Sequence, residues 1–259
     1  MMNNKKTLTT LAASLGLAAV SNAALVHRYS FDTDATDSIG GAHGTLQGDA
    51  NVLSGAVQLD GTGDHVALDA TAIAINGFTD VTIEAWWSHD TQDVWQRVFD
   101  FGDTNGAGAG QNYMFYSPVG NPGGAPDQYA AIANGGTSEQ GVQLNPRLAN
   151  GSYHMAMTFD DAANTMTLYV DGVQVAQNTG VTNTLGGLSN AHAYLGKSSW
   201  NADTNNLNGS IDEFRIYNNA LSGAEVASSF ALGADAVPEP SSTALLGLGG
   251  LALILRRRK

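Results

Sequence analysis

The chain has 259 residues, with 24 acidic and 11 basic side chains and no cysteine. Six of the 11 basic residues lie near the two ends, which leaves residues 24–236 with five basic and 23 acidic side chains and a net charge near −18. This charge excludes nucleic-acid binding, and the absence of cysteine excludes disulfides, structural thiolate zinc sites and a cysteine nucleophile.

The first 23 residues have the pattern of an export signal. Lys5 and Lys6 precede an apolar run at 8–20, and the small residues of Ser21-Asn22-Ala23 follow it. This order predicts a signal peptide at 1–23 that signal peptidase cleaves after Ala23. The alternative, a buried N-terminal helix, fits poorly because a strand-like segment follows at 25–31.

Short strands with glycine-rich turns are predicted through residues 24–234. In the segment 81–87, the apolar odd-numbered residues alternate with Thr82, Glu84 and Trp86, which predicts a strand. Residues 165–170 and 173–176 flank Asp171-Gly172, a strong hairpin signal. Further strands are predicted at 57–59 and 65–68, which flank a longer hairpin-like turn at 60–64, and at 153–159, 191–196 and 211–217.

One short helix is predicted at 222–229. Ser222 is its predicted N-cap and Glu225 lies at the third helical position, which is a capping-box pattern. Many short strands joined by glycine-rich turns predict an all-β, two-sheet antiparallel sandwich with this helical turn at its C-terminal end. Residues 235–240 are the predicted linker.

Short motifs occur in a fixed order between residues 25 and 230. They are L-V-H-R-Y-S-F-D at 25–32, D-S-I-G at 37–40, H-G-T at 43–45, V-Q-L-D-G-T-G-D-H-V at 57–66, T-I-E-A-W at 82–86, Y-H-M-A-M-T-F-D at 153–160 and L-N-G-S-I-D-E-F-R-I-Y-N at 207–218. This ordered set resembles the LamG-like jelly-roll domains of the concanavalin A-like lectin/glucanase superfamily. The resemblance implies a jelly-roll domain at 24–234.

The C-terminal residues 235–259 form a second recognisable unit. A V-P-E-P sequence comes first, a glycine-rich apolar segment follows at 241–255, and a basic tail at 256–259 ends the chain. The segment is short for a spanning helix, which needs about 20 apolar residues, and basic residues mark the cytoplasmic side. The order of the parts resembles the PEP-CTERM sorting signal of Gram-negative bacteria, with the key residues Val237, Pro238, Glu239, Pro240, Arg256, Arg257 and Arg258. The resemblance implies transient association with the inner membrane and cleavage by an exosortase, and the alternative is a simple C-terminal anchor.

No catalytic residue is predicted. The superfamily's hydrolases carry a Glu-x-Asp-x-x-Glu strand, which this sequence lacks, and the zinc-hydrolase, nucleophile-elbow and P-loop motifs are also absent. Glu84 and Glu213 lie on different predicted strands and are interpreted as polar partners within the sandwich, because Arg215 shares the face of Glu213. A carboxylate pair assembled in space remains the alternative.

A structural calcium ion is expected, because an acidic exported domain can supply the oxygen ligands that hard cations need. The resemblance implies Asp32 and Asp212 as side-chain ligands and a backbone carbonyl near Gly61. The main alternative for Asp212 is a simple turn or edge-strand residue.

Ligand binding is predicted on glycine-rich loops, because sugar sites need aromatic faces beside polar side chains. The candidates are Trp200, Asn201, Asp203 and Asn112. The alternative for Trp200 is that its ring plugs the rim of the core.

Together these features predict a non-catalytic, exported protein of the cell surface or extracellular matrix that binds carbohydrate, with exopolysaccharide as the leading ligand. A structural or adhesive module that binds envelope proteins is the alternative, and a glycan hydrolase with atypical carboxylates is the third hypothesis. The fold by itself does not choose among them.

Overall fold

A computed structural model describes residues 24–120, 124, 127–135 and 139–237. The predicted signal peptide at 1–23, the segment 241–255 and the sorting-signal residues Pro238, Glu239, Pro240, Arg256, Arg257 and Arg258 lie outside the described residues. Within the described part of the chain, no helix is long and apolar enough to span a lipid bilayer.

Within the described residues, fifteen strands form two antiparallel sheets, which confirms the predicted two-sheet architecture. The strands are β1 Leu25–Tyr29, β2 Gly44–Gln47, β3 Asn51–Leu53, β4 Ala56–Asp60, β5 His65–Leu68, β6 Asp80–His89, β7 Phe99–Gly102, β8 Tyr113–Gly120, β9 Asp127–Ala133, β10 Gln140–Leu144, β11 Gly151–Asp160, β12 Thr165–Val170, β13 Val173–Asn178, β14 His192–Leu195 and β15 Asn208–Tyr217. The described part of the chain also contains the α-helices α1 Ala70–Ile73 and α2 Gly223–Leu232.

The first sheet, sheet A, has eight strands in the order β13-β12-β11-β6-β15-β4-β3. Strand β1 also pairs with β15, beside its C-terminal half at Phe214–Tyr217, while β4 pairs with the N-terminal half at Asn208–Ile211. The second sheet, sheet B, has seven strands in the order β10-β9-β8-β7-β14-β5-β2.

The core lies between the two sheets. Val81, Ile83, Ala85 and Trp87 on β6 are at most 2 % exposed and lie in the core, as their alternation indicates. Thr82 and Glu84 on the opposite face are also buried, and Ser229 of α2 donates to Glu84 there. Aromatic rings from both sheets meet there, and Phe214 of sheet A packs 6.2 Å from the Phe99 ring of sheet B.

The predicted hairpin turn and the predicted capping box are both confirmed. Asp171 and Gly172 both have positive φ, 49° and 75°, which is the two-residue hairpin geometry that joins β12 to β13. Helix α2 begins with the predicted capping box, in which Ser222 and Glu225 each accept a backbone N–H of the other.

The expected hairpin at residues 57–68 is wrong. Strand β4 belongs to sheet A and β5 to sheet B, so the glycine-rich loop between them crosses from one sheet to the other. Gly61 and Gly63 both have positive φ, which allows the chain to turn sharply towards the second sheet. The loop therefore closes one end of the sandwich.

Candidate functional site

The outer face of sheet B carries a pocket of about 300 Å³, here called the aromatic pocket. Three loops and one strand supply its lining. The lining residues are Trp95 and Arg97 from the β6–β7 loop, Phe115 from β8, Glu139 from the β9–β10 loop, and Trp200 and Asp203 from the β14–β15 loop.

The floor of the aromatic pocket is an apolar patch on a face that would ordinarily be polar. Tyr113, Phe115 and Tyr129 alternate outward from β8 and β9 and form a cluster separate from the core. The half-buried rings of Trp95 and Trp200 pack against this cluster. Two loops therefore extend an aromatic surface outward from the sheet.

Arg97 organises the polar side of the pocket. Its side chain is 2 % exposed, its Nη2 donates to Asp203 Oδ2 at 2.9 Å, and its Nε lies 3.4 Å from Asp100 Oδ2. The guanidinium lies 4.0 Å from the centre of the Phe115 ring, close enough for a cation–π interaction. The guanidinium also lies 5.3 Å from the centre of the Trp95 ring, so a single buried arginine contacts two carboxylates and two aromatic rings.

Trp95 has an unusual backbone. Its φ is 67°, in the left-handed region that bulky residues rarely adopt. Two hydrogen bonds hold it there, because Trp95 N donates to Val119 O at 2.7 Å and Trp95 O accepts from Arg97 Nη1 at 2.9 Å. Strain of this kind occurs mainly at functional sites, and here it aims an indole at the pocket.

Trp200 rests on the loop before β8. Its ring contacts Tyr113 edge-to-face, with centroids 6.1 Å apart, and a Cβ at Gly110 would lie 2.4 Å from Trp200 Nε1. Gly110 is therefore required by close packing, because any side chain there would displace the indole. Trp200 thus packs at the rim, as its alternative describes, and it also lines the aromatic pocket, while its role in ligand binding stays a prediction.

Glu139 lies at the exposed side of the pocket. The Tyr113 hydroxyl donates to Glu139 Oε2 at 2.5 Å. Burial, followed by this hydrogen bond, raises the pKa of Tyr113, so the hydroxyl stays protonated and remains a donor. Glu139 and Asp203 outnumber Arg97, and Asp100 adds a third carboxylate beneath them, so the pocket carries more negative than positive charge.

The structure brings two of the four predicted ligand-site residues, Trp200 and Asp203, into the aromatic pocket. Asn201 lies on the neighbouring loop surface, where its N–H donates to Gly108 O at 2.8 Å. Asn112 connects loops, since its Nδ2 donates to Asp103 at 3.0 Å and its Oδ1 accepts from Gly135 N at 2.9 Å. These contacts give the two asparagines a supporting position rather than a place in the lining.

Trp95, Arg97 and Glu139 were missed by sequence reasoning. Trp95 lies in the loop between β6 and β7, where no local sequence pattern marks it as a site residue. The sequence does contain one signal for two of these residues, which is that their residue types are rare. Arg97 is one of five basic residues and Glu139 is one of four glutamates in residues 24–236.

The residues expected to bind calcium do not share one site. Burial raises the pKa of Asp212, and the charges of Asp235 and Asp32 add to the effect. Gly61 is remote from them, because adjacent Asp60 pairs with Asn208, four residues and roughly 13 Å before Asp212 along β15.

Glu84 and Glu213 act as structural partners, in line with their interpretation. Tyr217 and Ser229 each donate to Glu84 Oε2 at 3.0 Å, and Arg215 Nε donates to Glu213 Oε1 at 2.6 Å. Both carboxylates are buried, and Ser229 belongs to α2, which covers this part of sheet A. These contacts place Glu84 and Glu213 in the interior rather than in an open cleft.

A second concavity, here called the helix-side groove, lies on the outer face of sheet A. Its volume is about 610 Å³, and its lining includes Trp86, Ser88, His154, Ser210 and Phe230. Trp86 is half-buried, 4.4 Å from the His154 ring and 4.5 Å from the Arg215 guanidinium. The two concavities therefore lie on opposite faces of the sandwich.

Several solved structures share this fold. Domain 4 of AbnA, a GH43 extracellular arabinanase from Geobacillus stearothermophilus solved with arabinotriose, has a TM-score of 0.63 and 22 % identity, over 80 % of this chain and 98 % of that one. The CBM40 domain of the Ruminococcus gnavus IT-sialidase, bound to α2,3-sialyllactose, has a TM-score of 0.54 and 14 % identity, over 67 % and 95 %. The binding domain of botulinum neurotoxin serotype C1 has a TM-score of 0.59 and 14 % identity, over 80 % and 51 %.

A comparison with curated proteins finds no match. Residues 236–259 match the PEP-CTERM protein-sorting motif, which implies an exported protein that is tethered at the membrane until an exosortase-type protease processes it. Residues 60–227 match a laminin-G-like family model. Since that match spans more than half of the chain and the fold is a two-sheet sandwich, the chain belongs to the concanavalin A-like lectin/glucanases superfamily.

Proposed function

We propose that this protein is a non-catalytic, exported glycan-binding protein and that the aromatic pocket is its binding site. The main support for this proposal is that three aromatic rings line one open pocket together with Arg97, Glu139 and Asp203. A sugar ring offers an apolar C–H face for aromatic side chains and hydroxyl groups for charged partners, which is the combination found here.

A neutral glycan suits the pocket better than an acidic one. Three carboxylates face or underlie the pocket against one guanidinium, and the surrounding domain has a net charge near −18. Both would repel a sialylated or uronic-acid polymer at ordinary ionic strength. Neutral exopolysaccharide outside a Gram-negative cell is therefore the proposed ligand.

The solved structures support this proposal at the level of the fold. One neighbour was solved with arabinotriose and another with sialyllactose, so the same sandwich supports oligosaccharide binding in other proteins. Processing by signal peptidase and an exosortase would then deliver the domain to the cell surface or the extracellular matrix.

Trp200→Ala is expected to weaken binding to a neutral oligosaccharide by about tenfold or more, because it removes a central aromatic contact of the site. Calorimetric titration of the full chain in mild detergent, with neutral oligosaccharides selected on a glycan array, measures this. Gly110→Ala keeps the Trp200 side chain but shifts its position, because the added Cβ would lie 2.4 Å from Trp200 Nε1. This variant is therefore also expected to weaken binding.

Trp86→Ala is the matched control, since it removes another half-buried indole from the opposite face. Its affinity is expected to equal that of the wild-type protein. Loss of affinity in the Trp86 variant, with the Trp200 variant unchanged, would move the site to the helix-side groove.

An adhesive protein-binding role is the second candidate. Val173 is 64 % and Phe230 is 40 % exposed, and they lie together because a Cβ on Gly172 would approach the Phe230 ring to 2.9 Å. Phe230 also lines the helix-side groove. This role would be favoured if the wild-type protein binds a protein of the cell envelope, the Phe230→Ser variant does not, and no glycan on the array binds.

A further inference from the structure

Three aspartates meet at one end of the sandwich. Asp49 from the β2–β3 turn and Asp60 and Asp64 from the β4–β5 loop each offer a carboxylate oxygen within 4.8 Å of the others. These three residues are here called the acidic cluster. They line a cavity of about 290 Å³ together with Asp90 and Asn208.

Asp64 is the unusual member of the acidic cluster. It is 1 % exposed, and while its Oδ2 accepts the N–H of Asp60 at 2.7 Å, its Oδ1 has no hydrogen-bond partner among the described residues. A buried carboxylate oxygen without a partner is costly unless a cation or a donor satisfies it. Burial, with Asp60 and Asp49 adding repulsion, raises the pKa of Asp64.

The cavity offers no compensating positive charge. Among the described residues that line it, four are aspartates and none is lysine, arginine or histidine. The backbone is nevertheless held in place around the carboxylates. Asn206 Nδ2 donates to Asp64 O at 2.9 Å, and a Cβ on Gly48 would lie 3.0 Å from Asp64 Cα, so the two loops touch beside the carboxylates.

We propose that Asp49, Asp60 and Asp64 bind one divalent cation of calcium size. All the ligand atoms are hard oxygens, and Asp90 and Asn208 bring further oxygen atoms to the same cavity. Oxygen ligands drawn from two separate loops suit the flexible coordination of Ca²⁺ better than the near-ideal octahedron of Mg²⁺. The site differs from the pair Asp32 and Asp212, because its ligands come from the loops that close the sandwich near Asn208.

The bound cation would join the β2–β3 turn to the loop that crosses between the sheets. Asn206 lies in the same β14–β15 loop as Trp200 and Asp203, so the cluster also supports the base of that loop. The proposal concerns metal binding and stability, and it stands whether or not the aromatic pocket binds a glycan.

The test is calcium titration of the metal-stripped full chain in mild detergent, followed by calorimetry and by thermal unfolding. One Ca²⁺ per chain is expected, with a rise in melting temperature of roughly 5–10 °C at saturation. Asp64→Asn is expected to bind at least tenfold more weakly and to show no rise. In chelator it is expected to melt no lower than the wild-type protein, because its unpartnered charge is gone.

Asp49→Asn is the second variant, since Asp49 is exposed and its replacement is expected to leave the fold intact. It is expected to weaken calcium binding as well, whereas the control Asp212→Asn is expected to bind normally. Absence of calcium binding in the wild-type protein would overturn the proposal. Binding that survives in Asp64→Asn and Asp49→Asn but disappears in Asp212→Asn would also overturn it.

Discussion

Replacing Asp37 by alanine is expected to destabilise the fold by about 3 to 5 kcal/mol, since it leaves five buried or partly buried donors without their acceptor. The Oδ1 atom of Asp37 accepts the backbone N–H groups of Arg28, Ile39 and Gly40, each at 3.0 Å. Its Oδ2 atom accepts the N–H of Ala42 at 2.9 Å and the His27 Nδ1 hydrogen at 2.7 Å. One carboxylate therefore organises the loop between β1 and β2.

The D-S-I-G motif at 37–40 has a physical explanation in this loop. Its aspartate accepts the N–H groups of the turn that follows it, and its glycine permits close approach, because a Cβ on Gly40 would lie 2.3 Å from His27 Nδ1. The motif thus specifies both the charge at the centre of the loop and the space around it.

Urea unfolding of the wild-type protein and its variants measures the effect, and a fall in melting temperature of roughly 10 °C should accompany it. Asp34→Ala is the matched control, because Asp34 lies in the same loop but is exposed. Its cost is expected to stay below about 1 kcal/mol. Equal stability of the two variants would contradict the role assigned to Asp37.

Lowering the pH should remove the stabilisation that the Asp37 carboxylate provides. Burial opposes ionisation of Asp37, but the hydrogen bonds from Arg28 N, His27 and the N–H groups of Ile39 and Ala42 outweigh it and hold its pKa at about 2. The unfolded chain therefore binds the proton more readily, and the stabilisation is present above about pH 4 and lost between pH 4 and 2. The difference in the free energy of unfolding between the wild-type protein and Asp37→Asn is expected to decrease as the pH falls from 4 to 2.

Local patterns predicted much of this fold. Alternation placed Val81, Ile83, Ala85 and Trp87 in the core, and the Asp171-Gly172 turn and the Ser222 capping box lie where their residue types favour them. Each of these features depends on interactions within a few residues of chain, which is why sequence alone specifies them.

The aromatic pocket could be predicted only in part, because its lining residues come from four separate parts of the chain. Trp200 stood out as an aromatic residue among polar ones, whereas Trp95 takes its position from a left-handed backbone that no local pattern indicates. The prediction that residues 57–68 form a hairpin was wrong for a related reason. A glycine-rich turn permits a hairpin and a crossing equally well, and the choice depends on which sheet each strand joins.

Replacing Arg97 by alanine is expected to cost about 3 to 5 kcal/mol of stability, because it leaves buried carboxylates unpaired. Asp100 is fully buried and Asp203 is partly buried beside the guanidinium. Urea unfolding measures the loss. Arg28→Ala is the control, since Arg28 is 22 % exposed and its partner Glu213 keeps Arg215 at 2.6 Å, so its cost is expected to be about 1 kcal/mol or less.

A triple variant separates the structural role of Arg97 from its role in binding. Arg97→Met with Asp100→Asn and Asp203→Asn removes all three charges, and replacing a whole buried ion pair by neutral residues is often close to neutral in stability. We expect this variant to regain most of the stability lost in Arg97→Ala while its affinity for neutral oligosaccharides stays at least tenfold reduced. Full recovery of affinity would show that the charges serve the fold alone and that the aromatic rings suffice for recognition.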